Sequence, residues 1–268
     1  MLKKLAQILS VFFKKNTSDL TIKSNGKKIS IPTDMSWAFE NGEYYEHNVI
    51  YFLDILFSKY KEPVFFDIGA NYGYYTVKYA DLCKKVLSFE PVNKTYSVLT
   101  SNIKRNKLHN VTAYKLGLSD KKQDCEINLY SSSGNNSIFD RDIPSEHPCK
   151  KIGTEHINLL SLDEFVQQNP AIYPDIIKID VEGSELYVLQ GAKDTILKHS
   201  PVIVIEYSQN TSYDAGYQRE DLIENLKMFS YTIYGIPEDP NEYRLISEME
   251  FQSEQISNLI ALPIKIKI

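Results

Sequence analysis

From about residue 60 onward, short apolar runs alternate with amphipathic stretches. The period-two runs read as strands and the 3.6-period stretches as helices. The pattern predicts strand 64–67, helix 73–82, strand 85–90, helix 93–106 and strand 111–116. After Asp120 the alternation pauses. Cys125 to Tyr130 alternates like an edge strand, and Ser131 to Asn136 reads as a loop too polar for a core. Ser161-Leu-Asp-Glu164 then opens a helix with a capping-box pattern. Strand 175–180, a helix from about Ser184 past Gln190 with Gly191 marking its end, strand 201–207, helix 219–228, strand 231–236 and a last strand near 258–264 follow. Strands alternating with helices specify a parallel, doubly wound α/β sheet. Upstream, Asn25-Gly26 between Leu20-Thr-Ile22 and Ile29-Ser-Ile31 signals a hairpin, and Tyr44 to Ser58 a helix. With no internal repeat or low-complexity linker, the chain reads as an N-terminal extension, 1–60, on one domain, 61–268.

The first unit carries the chemistry. Val64 to Phe66 ends in Asp67 and a turn, Ile68-Gly-Ala-Asn-Tyr-Gly73, before the helix begins at Tyr74. In such a sheet the ligand crevice lies at the carboxyl edge. Glycines at 69 and 73 let backbone turn sharply and approach a ligand. Glu90 ends the next strand, 23 residues after Asp67, where a carboxylate can accept both hydroxyls of a ribose. A dinucleotide site would place a second glycine for the pyrophosphate. Asn71 stands there instead, and Asp67 would repel phosphate. S-adenosylmethionine, with a ribose, an ammonium, a sulfonium and no phosphate, fits better.

The chain resembles the FkbM-type branch of class I S-adenosylmethionine-dependent methyltransferases. The matching motifs are Asp67-Ile-Gly-Ala-Asn-Tyr-Gly73, Phe89-Glu-Pro91, Gly117-Leu-Ser-Asp120, Ser161-Leu-Asp163 and Ile177-Lys-Ile-Asp-Val-Glu-Gly-Ser-Glu-Leu186. They run in family order over roughly residues 60 to 207. The resemblance implies a Rossmann-like sheet of seven strands with the last reversed. It also implies that Asp67, Gly69 and Asn71, with backbone of Ala70 and Tyr72, hold the cofactor beside Glu90. Leu118, Ser119 and Asp120, taken as the end of strand three, are expected beside the adenine, and Asp180 near the methionine moiety.

Methyl transfer to a sugar hydroxyl needs something to take the hydroxyl proton. Asp180 ends strand four, and Glu206 ends strand five inside the apolar run Val204-Ile-Glu-Tyr207. A charge in such a run is costly unless it is used or paired. Asp180 and Glu206 are therefore the candidate catalytic pair, sharing a proton, a metal or an acceptor. Glu182 joins them, unless it or Asp180 merely caps the helix that follows. No two histidines have metal-ligand spacing, so a divalent metal would take oxygen ligands; none is predicted. Three functions fit: O-methylation of a sugar or other hydroxylated metabolite, methylation of nitrogen or a phosphate-linked group on the same fold, or a non-catalytic nucleoside-binding module. Asp180 and Glu206 favour catalysis.

Net charge is −5 with no basic stripe, which argues against nucleic acid and leaves a small-molecule or glycan acceptor as the expected partner. Tyrosine is frequent, 19 residues, as suits stacking-capable polar pockets such as sugar sites, or composition bias alone. Cys83, Cys125 and Cys149 are scattered and odd in number, pointing to a reducing, cytoplasmic setting and no structural zinc. Residues 1–15 place Leu2, Leu5, Leu9 and Phe12 on one helical face between lysine pairs. That stripe is too short to span a bilayer. It packs on its own domain or on a dimer mate, or lies on a membrane surface. In Pro263-Ile-Lys-Ile-Lys-Ile268 the alternating lysines suggest a charge-guarded edge strand.

Overall fold

The computed structural model describes residues 20–264 apart from 25, 41–42, 45, 145, 240–241 and 253–254. The expectation for residues 1–15 lies outside the described residues. The chain opens with an antiparallel hairpin, β1 (Leu20–Ser24) and β2 (Lys27–Ile31). Ser24 pairs with Lys27, the register of a two-residue Asn-Gly turn. Two short strands, β3 (Phe39–Glu40) and β4 (Glu43–Tyr44), pair with each other before helix α1 (His47–Lys59).

The alternating units follow: β5 (Val64–Ile68), α2 (Tyr74–Tyr79), β6 (Lys85–Phe89), α3 (Asn93–Arg105) and β7 (Val111–Tyr114). Then come β8 (Gly117–Ser119), β9 (Gln123–Tyr130) and the eleven-residue β10 (Lys151–Ser161). The second half adds α4 (Leu162–Gln168), β11 (Ile176–Ile179), α5 (Glu185–Gln190), α6 (Lys193–His199) and β12 (Val202–Glu206). It closes with α7 (Gln209–Asp214), α8 (Glu220–Met228), β13 (Tyr231–Pro237), β14 (Ile246–Ser247) and β15 (Ile256–Pro263).

The main sheet has the order β14-β13-β15-β12-β11-β5-β6-β7. Strands β7, β6, β5, β11 and β12 are mutually parallel, and β15 runs antiparallel to both β12 and β13. This is the seven-stranded class I methyltransferase sheet with its last strand reversed, plus the two-residue β14 at one edge. β15 matches the last strand expected near 258–264, and most of the stretch 263–268 expected as a charge-guarded edge lies beyond it. β15 is an interior strand, buried at seven of its eight positions, because it lies between β12 and β13. Residues 265–268 lie outside the described residues.

Consecutive strand residues serve opposite faces, as a period of two requires. Phe66, Ile177 and Ile203 pack with α4, α5, α6 and α8 through Phe165, Leu189, Ile196 and Leu226. Phe65, Ile176 and Val202 pack with α1, α2 and the hairpin through Leu53, Val77 and Ile29. Residues 20–60 thus supply much of one of the sheet's two coverings. The chemistry-bearing strands β5, β6, β11 and β12 all end at the same edge, because they are parallel neighbours.

A second sheet, β8-β10-β9, lends Leu118, Ile127 and Leu159 to the cleft at that edge. Its strand β8 is separate from β7, so Gly117–Ser119 starts a new sheet instead of ending strand three. β9 sits at its edge, as its alternation predicts. The Ser131 to Asn136 segment is a wall rather than a free loop: Ser133 is buried within a single 3-10 turn, Ser133–Asn135. Ser161 accepts a hydrogen bond from the Glu164 amide at the head of α4, as the capping pattern predicts. No helix among the described residues is long and apolar enough to cross a membrane.

Candidate active site

A cleft of about 300 Å³ opens at the carboxyl edge. Its floor is the turn after β5. Gly69 takes φ +83°, and the Gly69 and Ala70 amides both donate to the Phe89 carbonyl at 3.0 Å. A Cβ on Gly69 would stand 1.7 Å from the Asp180 carbonyl oxygen, so this glycine is what lets the turn and the end of β11 touch. Asn71 also adopts a left-handed conformation, φ +49°, which asparagine tolerates better than most residues.

Glu90 is 7% exposed and fully organised. Its Oε2 accepts from the Asn71 amide at 2.9 Å, and Oε1 accepts from the Val92 amide at 3.0 Å and Thr95 Oγ1 at 2.6 Å. Burial pushes this carboxyl up to about 7, against the pull of those three donors. Asn71 Oδ1 beside it is buried with no hydrogen-bond partner. Phe89, Pro91, Val92 and Leu118 supply apolar wall on the same side. An orphaned acceptor, a fixed carboxylate and an apolar slot suit a nucleoside.

At the other end the loop after β11 carries the acids. Glu185 holds that loop: its Oε1 accepts from the Val181 amide and its Oε2 from the Gly183 amide, both at 2.9 Å, with Tyr217 Oη donating at 3.2 Å. Glu185, not Asp180 or Glu182, therefore satisfies the amides ahead of α5. Glu182 at φ +55° and Gly183 at φ +108° make the loop's sharp reversal. A Cβ on Gly183 would press to 2.9 Å from the Thr211 carbonyl. The reversal brings carboxylate oxygens of Asp180, Glu182 and Glu206 within 4.8 Å of one another.

Two of these acids have cations. Lys178, 2% exposed, donates to Asp180 Oδ2 at 2.6 Å, and its ammonium lies 4.4 Å from the centre of the Tyr75 ring. Burial opposes charge on Lys178, but Asp180, Glu46 and Asp67 outweigh it and hold the ammonium above the ordinary lysine value. Arg141 donates to Glu182 Oε2 at 2.6 Å and lies 3.4 Å from Asp214. Glu206 differs: its Oε2 is buried without a hydrogen-bond partner. Burial, then the neighbouring Glu182, Asp180 and Glu185, push Glu206 well above the usual carboxylate range. Burial likewise raises Glu182 to about 8, although Arg141 pulls it down. The three acids are rich in oxygen ligands, yet two of them already have a side-chain cation.

Of the residues expected at the cofactor, Gly69, Ala70, Asn71, Tyr72, Glu90, Leu118 and Asp180 line the cleft, as does Glu206. Asp67, Ser119 and Asp120 do not line it. Asp67 shares a sheet face with Ser88 and Lys178, its cross-strand neighbours. It is wedged under α2, accepting from Thr76 Oγ1 at 2.6 Å. Ser119 is 2% exposed, because α5 ends at Gly191 directly against its carbonyl. The cleft also uses Lys178, Arg141, Glu46, Met35 and Trp37, none of which the sequence reading singled out. The last three come from residues 33–46. Trp37 Nε1 donates to Ser132 Oγ at 3.2 Å, and Asp34 accepts from the Ser133 amide at 2.9 Å, tying that segment to the turn across the cleft. The three cysteines are free, and burial pushes the Cys83 thiol up to about 12.

Residues 67–236 match the methyltransferase FkbM domain model, and the chain belongs to that family. It is 32% identical over 149 residues to the hexuronic acid methyltransferase AglP of Haloferax volcanii, covering 54% of this chain and 56% of AglP. It is 27% identical over 145 residues to Methyltransferase 1 of Beauveria bassiana, covering 48% of this chain and 57% of that protein. The 2-O-methyltransferase NoeI of Sinorhizobium fredii is 24% identical over 181 residues, 63% of this chain and 72% of NoeI. The chain thus spans little more than half the length of the first two.

Proposed function

We propose that the protein is an S-adenosylmethionine-dependent O-methyltransferase acting on a hydroxyl of a sugar or other hydroxylated metabolite. The observation that carries this is the convergence of Asp180, Glu182 and Glu206 in one cleft with the Glu90–Asn71 cradle. Family membership supports the cofactor, and the names of AglP and NoeI support a sugar acceptor.

When bound, S-adenosylmethionine supplies an electrophilic methyl group on a sulfonium. Glu90 would take the ribose hydroxyls, Asn71 Oδ1 a donor from the same ligand, and the wall at Val92 and Leu118 the adenine. At the acid end, Glu206 Oε2 is the acceptor atom with nothing yet to accept, so it is where a hydroxyl proton would be received. Asp180, oriented by Lys178, would align that hydroxyl or the methionine ammonium. Holding groups in line in this way lowers a barrier by up to ~7–11 kcal/mol in favourable cases, and a positioned base adds about 10²–10⁴ in rate. With Lys178 and Arg141 neutralising two of the acids, the proton is assigned to a carboxylate rather than to a metal-bound group.

Titration calorimetry with S-adenosylhomocysteine and with NAD, followed by turnover on a panel of hydroxylated acceptors, tests the proposal. Binding of NAD alone would overturn it. Turnover that survives EDTA is expected; loss on chelation with recovery by a divalent ion would move the proton to a metal.

A further inference from the structure

Trp37, the single tryptophan of the chain, lines the cleft and is 54% exposed. Exposed apolar side chains are common and mostly need no explanation. Among the large hydrophobic side chains exposed on the described residues, however, Trp37 is the one that lines the cleft. Its segment is also held in place. The Gly134 amide donates to Met35 Sδ at 3.3 Å, beside the bond from Trp37 Nε1 to Ser132 Oγ. Lys94 Nζ donates to Asp34 Oδ1 at 2.9 Å, tying the segment to the head of α3 as well. The Nε1 bond uses the edge of the indole, whereas stacking uses its face.

From Trp37 the chain leads to Glu46, whose Oε2 accepts from Tyr75 Oη at 2.7 Å, the ring that Lys178 lies over. From Ser132 the partner segment leads to Ser137, whose Oγ donates to the Glu182 carbonyl at 2.6 Å. Those five residues span at most about 18 Å, so one molecule of two linked sugar rings can reach from Trp37 to the acids. Ser133 Oγ, Arg141 Nε, Glu206 Oε2 and Thr211 Oγ1, all in residues lining the cleft, are buried without a hydrogen-bond partner. The set mixes two hydroxyls, a donor and an acceptor. Ligand hydroxyls, which both give and take, answer such a mixture. Residues 33–46 lie outside the stretch matched to the family model, 67–236, so Trp37 is not among the residues that define the family.

We infer that Trp37 is the platform of an acceptor subsite, on which a saccharide ring lays its C–H face while one of the acceptor's hydroxyls reaches the acid cluster. This rests on the methyltransferase reading above and adds to it the residue that selects a sugar. A pyranose carries a patch of C–H bonds ringed by hydroxyls. It is apolar against the indole and polar against the Ser133 hydroxyl beside it.

With one tryptophan in the chain, emission excited where tyrosine does not absorb reports on this position alone. Protein saturated with S-adenosylhomocysteine would be titrated with methyl glucoside, methyl galactoside, methyl glucuronide and cellobiose. Glycerol, which has hydroxyls without a ring, and cyclohexanol, a ring with a lone hydroxyl, serve as controls. At least one saccharide is expected to shift the emission to the blue and shield it from acrylamide, and neither control to do so. Calorimetry of that saccharide should show roughly tenfold weaker binding to Trp37→Ala, with most of the affinity kept by Trp37→Phe. Both variants should bind S-adenosylhomocysteine as wild type does. A response to none of the saccharides, or to a control as strongly, overturns the inference, as does equal saccharide affinity in Trp37→Ala. Loss of S-adenosylhomocysteine affinity in Trp37→Ala overturns it too, because Trp37 would then belong to the cofactor. All of these leave the methyltransferase reading in place; that reading falls instead if the wild-type protein fails to bind S-adenosylhomocysteine.

Discussion

Glu90 and Glu206 both stand at the carboxyl ends of parallel strands, are raised by burial, and look into one cleft, yet their surroundings are opposites. Glu90 has three protein donors divided between its two oxygens. Glu206 leaves Oε2 with none. A carboxylate whose position is fixed by its own chain suits a constant ligand part, which in the function proposed above is a ribose. A buried carboxylate left short of a donor is built to meet something that arrives and leaves. In the proposed function the same chemical group marks a cofactor end and a reaction end, and the hydrogen-bond count tells them apart.

The largest effect should fall at the reaction end. Asp180→Asn or Glu206→Gln is expected to keep the fold and most affinity for S-adenosylhomocysteine while turnover drops by about 10²–10⁴. Steady-state kinetics at saturating cofactor check this, and a wild-type rate in both variants would erase the contrast with Glu90. Next comes the floor that the two ends share. Gly69→Ala places a methyl on the Asp180 carbonyl oxygen, so one strand end must move. A cost of roughly 1–3 kcal/mol is expected, read as a lower urea midpoint together with lost activity.

At the cofactor end, Glu90→Ala should weaken S-adenosylhomocysteine by about 1–3 kcal/mol, the worth of hydrogen bonds to a charged group. An unchanged dissociation constant would take Glu90 off the ribose. The smallest effect is a pH dependence of stability. Glu90 holds its proton more tightly folded than unfolded, rising from 4.5 to about 7. The unfolded chain therefore ionises first, and stability falls as pH rises between those values, then levels off. Thermal melts of the ligand-free protein at pH 5 and 7.5 should differ less for Glu90→Gln than for wild type, by roughly 2–4 °C per kcal/mol removed. Equal slopes would mean that Glu90 is not the group responsible.

Much of the fold and of the cleft is legible in the sequence alone. Glu90 follows from a strand-end acid at the right distance, and Glu206 from a charge in an apolar run. Lys178, inside Ile176–Ile179, carries the same signal, and its two-residue spacing from Asp180 puts both on one face of a strand. Asp67 was misleading because its place at the strand end resembles a cleft position, while strand alternation turns it under α2. Trp37 and Arg141 had no local signal. Trp37 reaches Ser132 across 95 residues and Arg141 reaches Glu182 across 41, and no periodicity links such partners. The first half of β10 is hidden for another reason: most of it is exposed, so it lacks the apolar alternation that announces a strand.

The interior position of β15 has a consequence for synthesis. Of the eight strands of the main sheet it is the last to leave the ribosome, yet its place is between β12 and β13. Until residues 256–263 emerge, those two strands present open edges rich in isoleucine and valine, the kind of surface that recruits other chains. The nascent protein must therefore wait, with its sheet divided, for its final described strand to close it.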